Sequence, residues 1–472
     1  MEGGAGGLAG ALPLHPGRNL RFLHLLIRAR LSELDHWVFI NTMLHNSSTY
    51  VRRCALEIIF MAWEIVTPPV EPALRKVEMQ NIFSFKSAEI DLSSLNVLVG
   101  PNGAGKSNLL KAIAFIGEIA RSDLIPAIER FGGYERLLFG GERKQQSIKI
   151  RFESVVTKHA SEAARDIYEL SFTRRRSQAG PYVISRSETL AFKRYAGRGR
   201  RITVRGGRFY IQEEGSKRAS EPKPVSTPIG SASAGLATLR RLGEQYGAEQ
   251  ANDLATLFEN FRVFEVDVRR ATQPTLRGRH SDTLLPNASN LSSYLFELQK
   301  KRPDLIESIV ADLNFISPSI LGMNIRPYGA GADEGFIVEL REAGLSEPTP
   351  LAAASFGTVR ALALFTMLHD PNPPRLTCVE EVDHGLHPYA LDRVVERLRT
   401  ASSKTQIIAV THSPALVNRL EPHELKVFEK DVETGETLVP KFDPKLVAEA
   451  GTETGLGLGE MWFSGAIGGI PA

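Results

Sequence analysis

Residues Leu98 to Leu110 read LVGPNGAGKSNLL, in which Gly100, four intervening residues and then Gly105-Lys106-Ser107 form the phosphate-loop spacing G-x-x-x-x-G-K-[ST]. Each residue type has a physical reason. Glycines at 100, 103 and 105 allow backbone conformations closed to other residues, so that successive N–H groups turn toward phosphate oxygens. Pro101, Asn102 and Ala104 complete the cradle. Lys106 is placed to bring a point charge to the β/γ-phosphates, and Ser107 to offer a hydroxyl to Mg²⁺. The flanks agree with this reading. Leu95–Val99 is a short apolar run of buried-strand character, and 108–120 has helical periodicity, which sets a helix N-terminus against the anion. A glycine-rich turn matching by chance would not need that strand and that helix. The loop is therefore expected to hold a nucleoside triphosphate with Mg²⁺.

The chain has 472 residues, room for two or three domains, and its 42% hydrophobic and 24% charged composition is that of an ordinary soluble globular protein. A net charge of +3 by itself points neither to nucleic acid nor to a membrane. Two cysteines, Cys54 and Cys378, make neither a disulfide scaffold nor a zinc site, and a reducing cytoplasm is the expected compartment. In the N-terminal stretch Arg21, Arg28 and Arg30 interrupt the apolar residues, which argues against a cleaved signal. No stretch is long enough without charges to cross a membrane. Residues 19–66 read as one or two amphipathic helices on the main body, or equally as a poorly ordered extension from an upstream start codon. The prolines at 68, 69 and 72 mark a linker.

Three further stretches carry chemistry. Arg375 to Pro388 reads RLTCVEEVDHGLHP: a short apolar strand ending in the adjacent carboxylates Glu380 and Glu381. At a strand end the chain turns, so one carboxylate can face Mg²⁺ and the next the γ-phosphate; a solvated acidic turn is the plain alternative. Gln406–Val410 is a second apolar strand, ending in Thr411-His412-Ser413. That edge is where open α/β sheets bind ligands, and His412 can bond a γ-phosphate or hold the attacking water. Finally, Ser355-Phe356-Gly357 opens a helix from Val359 to His369. A Ser-x-Gly at a helix start is a second anion site through hydroxyl, amides and dipole, unless Ser355 is an ordinary N-cap. Within one chain it does not easily reach the nucleotide of the phosphate loop; across a dimer it can.

With these pieces in this order the chain resembles the ABC-type AAA family ATPases of the RecF, structural-maintenance-of-chromosomes (SMC) and OLD (overcoming lysogenization defect) kind. The resemblance covers about residues 76–430 and the C-terminal GEMWFSGAIGGIP. Its start is Val77 to Lys86, similar to the family's first strand and Asn-Phe-x-Ser-Phe entry with Ile82 in place of the first Phe. It implies an α/β P-loop NTPase fold: an ABC-ATPase-like head over 76–155 and 340–430, with a β-hairpin and helical lid inserted over 156–339. An N-terminal helical extension and linker (1–75) and a C-terminal segment (431–472) complete the expected layout. The resemblance further implies ATP with Mg²⁺ as the ligand, residues 100–107 as Walker A, Ser355–Thr358 as the signature, Glu380 as the Walker B acid at the metal, Glu381 as the catalytic glutamate that orients or deprotonates the attacking water, and His412 as the switch histidine.

Departures from the family pattern are Glu380 in place of Asp, Val382-Asp383-His384 where Pro-Glu-Asn is usual, and Phe356 in the signature. None removes a named ligand; slow turnover is the consequence to look for. Gln145 and Gln146 are the candidates for a Q-loop. About 250 residues separate Ser107 from Ser355 without sustained heptads, so no long coiled coil is expected. About 60 residues follow His412, too few for the Toprim nuclease domain of OLD enzymes.

Within the insert, Phe192–Tyr210 (FKRYAGRGRRITVRGGRFY) interleaves arginines with aromatics, either a nucleic-acid surface or a hairpin whose arginines keep an edge strand soluble. Residues 216–235 are Ser/Pro/Gly-rich, and helical patterns dominate from 236 to 310. Two functions follow. One is a nucleotide-dependent homodimer acting on DNA in repair or anti-phage defence. The other is an ATP-sensing regulatory subunit whose partner, encoded by a neighbouring gene, supplies the effector activity. No membrane partner is expected.

Overall fold

The computed structural model describes residues 71–140, 146–177, 180–194, 199–214, 223–224, 229–230, 233–239, 248–276, 282–329 and 335–469. The expected helices of 19–66, the Q-loop candidate Gln145 and Arg198 of the basic stretch lie outside them. The strands begin with β1 (Leu74–Ile82), β2 (Phe85–Asp91) and β3 (Leu95–Val99), followed by helix α1 (Lys106–Arg121). An antiparallel run comes next: β4 (Ile148–Ser154), β5 (Asp166–Ser177), β6 (Gly180–Phe192), β7 (Gly199–Arg205), β8 (Arg208–Glu214) and β9 (Lys223–Pro224). The chain continues through β10 (Arg262–Phe264), β11 (Thr275–Leu276), β12 (Ile320–Tyr328), β13 (Gly335–Glu342) and β14 (Thr349–Pro350) to helix α2 (Phe356–Leu368). Last are β15 (Leu376–Val379), β16 (Gln406–Val410), β17 (Leu425–Val427), β18 (Glu429–Lys430) and β19 (Thr437–Leu438).

The site is organised by a five-stranded sheet in the order β10-β15-β16-β3-β17, with every pair parallel. Parallel strands covered on both faces read as unbroken apolar runs, and β3, β15 and β16 are buried at every position. The side-chain alternation of β3 joins two cores. Leu98 points into a cluster with Leu109, Ile113 and Ile116 of α1, while Leu95, Val97 and Val99 join Leu362 and Phe365 of α2 on the other face. Because strand β10 pairs with β15, residues 262–264, inside the stretch expected as an insert, belong to this central sheet.

An eight-stranded antiparallel sheet, β2-β1-β4-β5-β6-β7-β8-β9, lies beside it. Its inner face carries Met79, Ile150, Phe152, Leu170, Phe172, Leu190, Ile202 and Val204, all buried in one core with Phe115 of α1. Phe192 and Phe209 join that core, so these two aromatics of the basic stretch serve packing. With a side-chain period of two, burial of Ile202 and Val204 sends Arg201 and Arg205 to the opposite face. The helical region expected as a lid divides in two. Helices Gly235–Leu239 and Ala248–Glu259 pack on α1, with Leu254 and Phe258 in the first core. Leu291–Lys301 and Pro303–Ile316 join the second core with α2. Among the described residues no helix is long and apolar enough to cross a membrane.

Candidate functional site

The phosphate loop leaves the C-terminal end of β3 and wraps the start of α1. Gly100, Gly103 and Gly105 have φ of 145°, 79° and 101°, the region that disfavours any side chain. Space forbids one as well: a Cβ at Gly100 would meet the Phe428 carbonyl, and one at Gly105 the Thr437 hydroxyl. Gly105 is the N-cap of α1 and offers no side-chain acceptor, which leaves the helix start to an external anion. Lys106 folds back so that its Nζ donates to the carbonyls of Gly100 (2.8 Å) and Pro101 (2.9 Å). Burial lowers its pKa to about 8, against the opposing pull of Glu380.

Ser107 Oγ donates to Glu380 Oε2 at 2.9 Å, joining the loop to the end of β15 across 273 residues of sequence. The backbone N–H of Glu380 donates to Phe264 O at 3.0 Å, so β10 fixes where the carboxylate begins. The extra methylene of Glu over Asp is thus accommodated. A hydroxyl and a carboxylate in contact are oxygen donors that fit Mg²⁺, an ion that keeps water and phosphate oxygens for its other positions. Among the described residues no group of three or more His, Cys, Asp or Glu is placed to hold a metal ion.

Glu381 takes a left-handed backbone conformation, φ 47°, unusual for a residue with a side chain. The surroundings hold it there: Arg360, buried in α2, donates to the carbonyls of Glu380 (3.1 Å) and Glu381 (2.8 Å). The turn sends the two carboxylates to different partners, Glu380 to Ser107 and Glu381 to His384. Glu381 Oε2 lies 2.7 Å from His384 Nδ1, with both side chains about half exposed. The His384 ring in turn lies 5.4 Å from that of Phe356, so two departures from the family pattern contact each other.

His412 is exposed just past β16. Its pKa is lowered by partial burial and then by Lys106, while Asp383 and Glu381 pull it up, which places it in the field of the loop and of the acids. Thr411 Oγ1 donates to Asp383 Oδ1 at 2.5 Å and accepts from Ser413 N at 3.0 Å, stiffening that edge. Gly100–Ser107, Glu380, Glu381 and His412 therefore gather at the C-terminal ends of β3, β15 and β16. Ser355 caps α2, accepting from Thr358 N at 3.1 Å, and is exposed. A Cβ on Gly357 would strike the carbonyl of Gly385, so the start of α2 rests on the turn after the two acids of its own chain.

Sequence reading missed several residues that touch the loop. Thr437, fully buried, donates from Oγ1 to Ala104 O (2.8 Å) and contacts Ser84 Oγ (2.7 Å), which also accepts from Asn108 Nδ2 (2.8 Å). Ser84 lies in the entry motif and could have been found there; Thr437 and Arg360 carry no local signal.

Residues 95–418 match the family model described as "AAA domain, putative AbiEii toxin, Type IV TA system". The chain belongs to this family. The matched span contains the phosphate loop, Ser355–Thr358, Glu380, Glu381 and His412 of this AAA-domain protein, an ATP-binding P-loop protein. A 72-residue stretch is 38% identical to the DNA double-strand break repair Rad50 ATPase of Methanopyrus kandleri, covering 15% of this chain and 7% of that protein. Among solved structures, the Smc head bound to the C-winged helix domain of ScpA is 14% identical, over 79% of this chain and 99% of that one, with a TM-score of 0.49. The SMC head domain from Thermotoga maritima is 15% identical over 79% of this chain and 99% of that one, with a TM-score of 0.38.

Proposed function

We propose that this AAA-domain protein hydrolyses ATP, that Mg-ATP closes two copies into a sandwich, and that the dimer acts on DNA in repair or in defence against foreign DNA. The contact between Ser107 Oγ and Glu380 Oε2 at 2.9 Å, with Glu381 next in the chain, carries the reading. The loop amides and Lys106 bind the triphosphate. Ser107 and Glu380 would hold Mg²⁺, which supplies charge neutralisation at the β/γ-phosphates when bound. Glu381 leaves His384 to orient and deprotonate the attacking water, and His412, mostly neutral at pH 7, holds the γ-phosphate side. Ser355 and the first amides of α2 come from the second copy, because in their own chain they lean on the turn at Gly385. The DNA surface is the outer face of β7 and β8, where exposed Arg205 and Arg208 lie opposite each other and Arg205 sits 5.1 Å from the Tyr210 ring.

The family description, which names a toxin–antitoxin system, favours a second reading: an ATP-sensing subunit whose partner protein supplies the effector activity. One titration separates them. Purified protein is titrated with duplex and single-stranded DNA, with and without a non-hydrolysable ATP analogue, at two salt concentrations. The DNA reading expects nucleotide-dependent affinity that falls with salt and a log–log slope reduced by about one unit per arginine in Arg205→Glu/Arg208→Glu. No binding under any of these conditions leaves the regulatory reading.

A further inference from the structure

The C-terminal hairpin β18–β19 brings a second lysine to the phosphate loop. Lys430 Nζ lies 3.9 Å from the point where a Cβ on Gly103 would stand, and Gly103 is at the middle of the loop whose amides converge on the anion. The hairpin is held on three sides. Thr437, paired with Lys430 across the ladder, binds Ala104 O through its hydroxyl and Ser84 O through its N–H (2.7 Å). Glu436 takes the N–H of Ser87 at 3.2 Å, which ties the turn to β2. Glu429 Oε1 accepts from Gly469 N at 2.8 Å, and Gly469 O accepts from the buried Trp462 Nε1 at 3.1 Å. The backbone of Lys430 is thus fixed through the C-terminal segment, while its side chain is exposed and, among the described residues, has no carboxylate partner. An exposed cation on a fixed backbone, with no counter-charge among the described residues, thus stands beside the middle of a loop built for an anion.

We propose that Lys430 is a second cation for the polyphosphate of the bound nucleoside triphosphate, and that the segment from β18 to Gly469 is the strap that places it. The inference rests on the reading of residues 100–107 as the ATP site. Lys106 donates to carbonyls within the loop, whereas Lys430 comes from a separate hairpin and meets the loop at Gly103. Its contribution is a field rather than a buried hydrogen bond, so it is screened by salt and scales with the charge of the ligand.

The test is the dissociation constant of a fluorescent ATP analogue, and of the matching AMP analogue, for parent, Lys430→Ala, Lys430→Arg, Lys430→Glu and Lys106→Ala proteins of equal melting temperature. Loss of Lys430 is expected to weaken ATP binding by about tenfold at low salt, with the gap narrowing at high salt. Lys430→Glu should be weaker still, Lys430→Arg close to the parent, and AMP binding little changed. If Lys430→Ala binds ATP as tightly as the parent while Lys106→Ala does not, the strap lysine has no role and the loop assignment survives. If Lys106→Ala also binds as the parent does, both the loop assignment and this inference fall. Equal losses for ATP and AMP would likewise overturn it, since a structural effect ignores ligand charge.

Discussion

Two helices of this protein begin at glycine- or serine-marked starts, one in the phosphate loop and one at Ser355, and their caps are in opposite states. At α1 the cap is Gly105, which has no side chain to satisfy the first turn, and Lys106 beside it is 4% exposed. At α2 the cap is Ser355, whose own hydroxyl accepts from Thr358 N, and Phe356 beside it is 48% exposed. The backbone physics of the two starts is the same. What differs is who completes them. The first is walled in by Glu380, Phe428 and Thr437 from elsewhere in the chain and is left open to one ligand. The second is complete by itself and faces outward, so any further anion must come with another molecule. In the proposed dimer the first start would hold the nucleotide of its own chain and the second would face the nucleotide of the other copy.

The contrast breaks most visibly at Lys106. Lys106→Ala is expected to cost ATP affinity on the order of 100-fold, with hydrolysis abolished, because a charge-assisted donor is removed from a buried site. Ser355→Ala should leave monomer affinity within about twofold, since that serine caps a helix already satisfied without ligand. Nucleotide titration of both variants checks this, and equal losses would erase the distinction between the two helix starts.

Glu381→Gln sharpens it next. The substitution keeps size and a hydrogen bond but removes basicity, so hydrolysis should fall by about 100-fold or more while ATP stays bound. Dimer should then accumulate in Mg-ATP, read as light-scattering mass, because a ligand bound only by the dimer stabilises it by mass action. Adding Ser355→Arg should restore the monomer by crowding the outward-facing start of α2. A Glu381→Gln protein that stays monomeric at saturating ATP contradicts the sandwich and leaves ATP binding standing.

The smallest effect is on stability. Removing the Ser355 hydroxyl frees the Thr358 N–H and should cost about 1 kcal/mol in chemical denaturation. A cost near zero would mean that water replaces the cap and that Ser355 is held for another purpose.

Much of the site was written in contiguous residues, because its physics is local. A loop of glycines between an apolar strand and a helix, two acids ending a strand, and Thr-His-Ser ending another can each be recognised without knowing what they pack against. So could the α/β class, since buried parallel strands leave unbroken apolar runs such as Leu95–Val99 and Gln406–Val410. Other features required the folded chain. Nothing near Arg360 announces that it would hold the carbonyls of Glu380 and Glu381, nor does any local pattern bring Thr437 and Lys430 to a loop about 330 residues earlier. Phe192 and Phe209 sat in a stretch that suggested base stacking until the register of β6 to β8 turned them into the core. The strand Arg262–Phe264 looked like part of an insert until it paired beside β15. The division has one cause. Backbone conformation and periodicity are settled by neighbours along the chain, whereas the face that is buried and the segment that crosses a given edge depend on how all the apolar surface is covered at once.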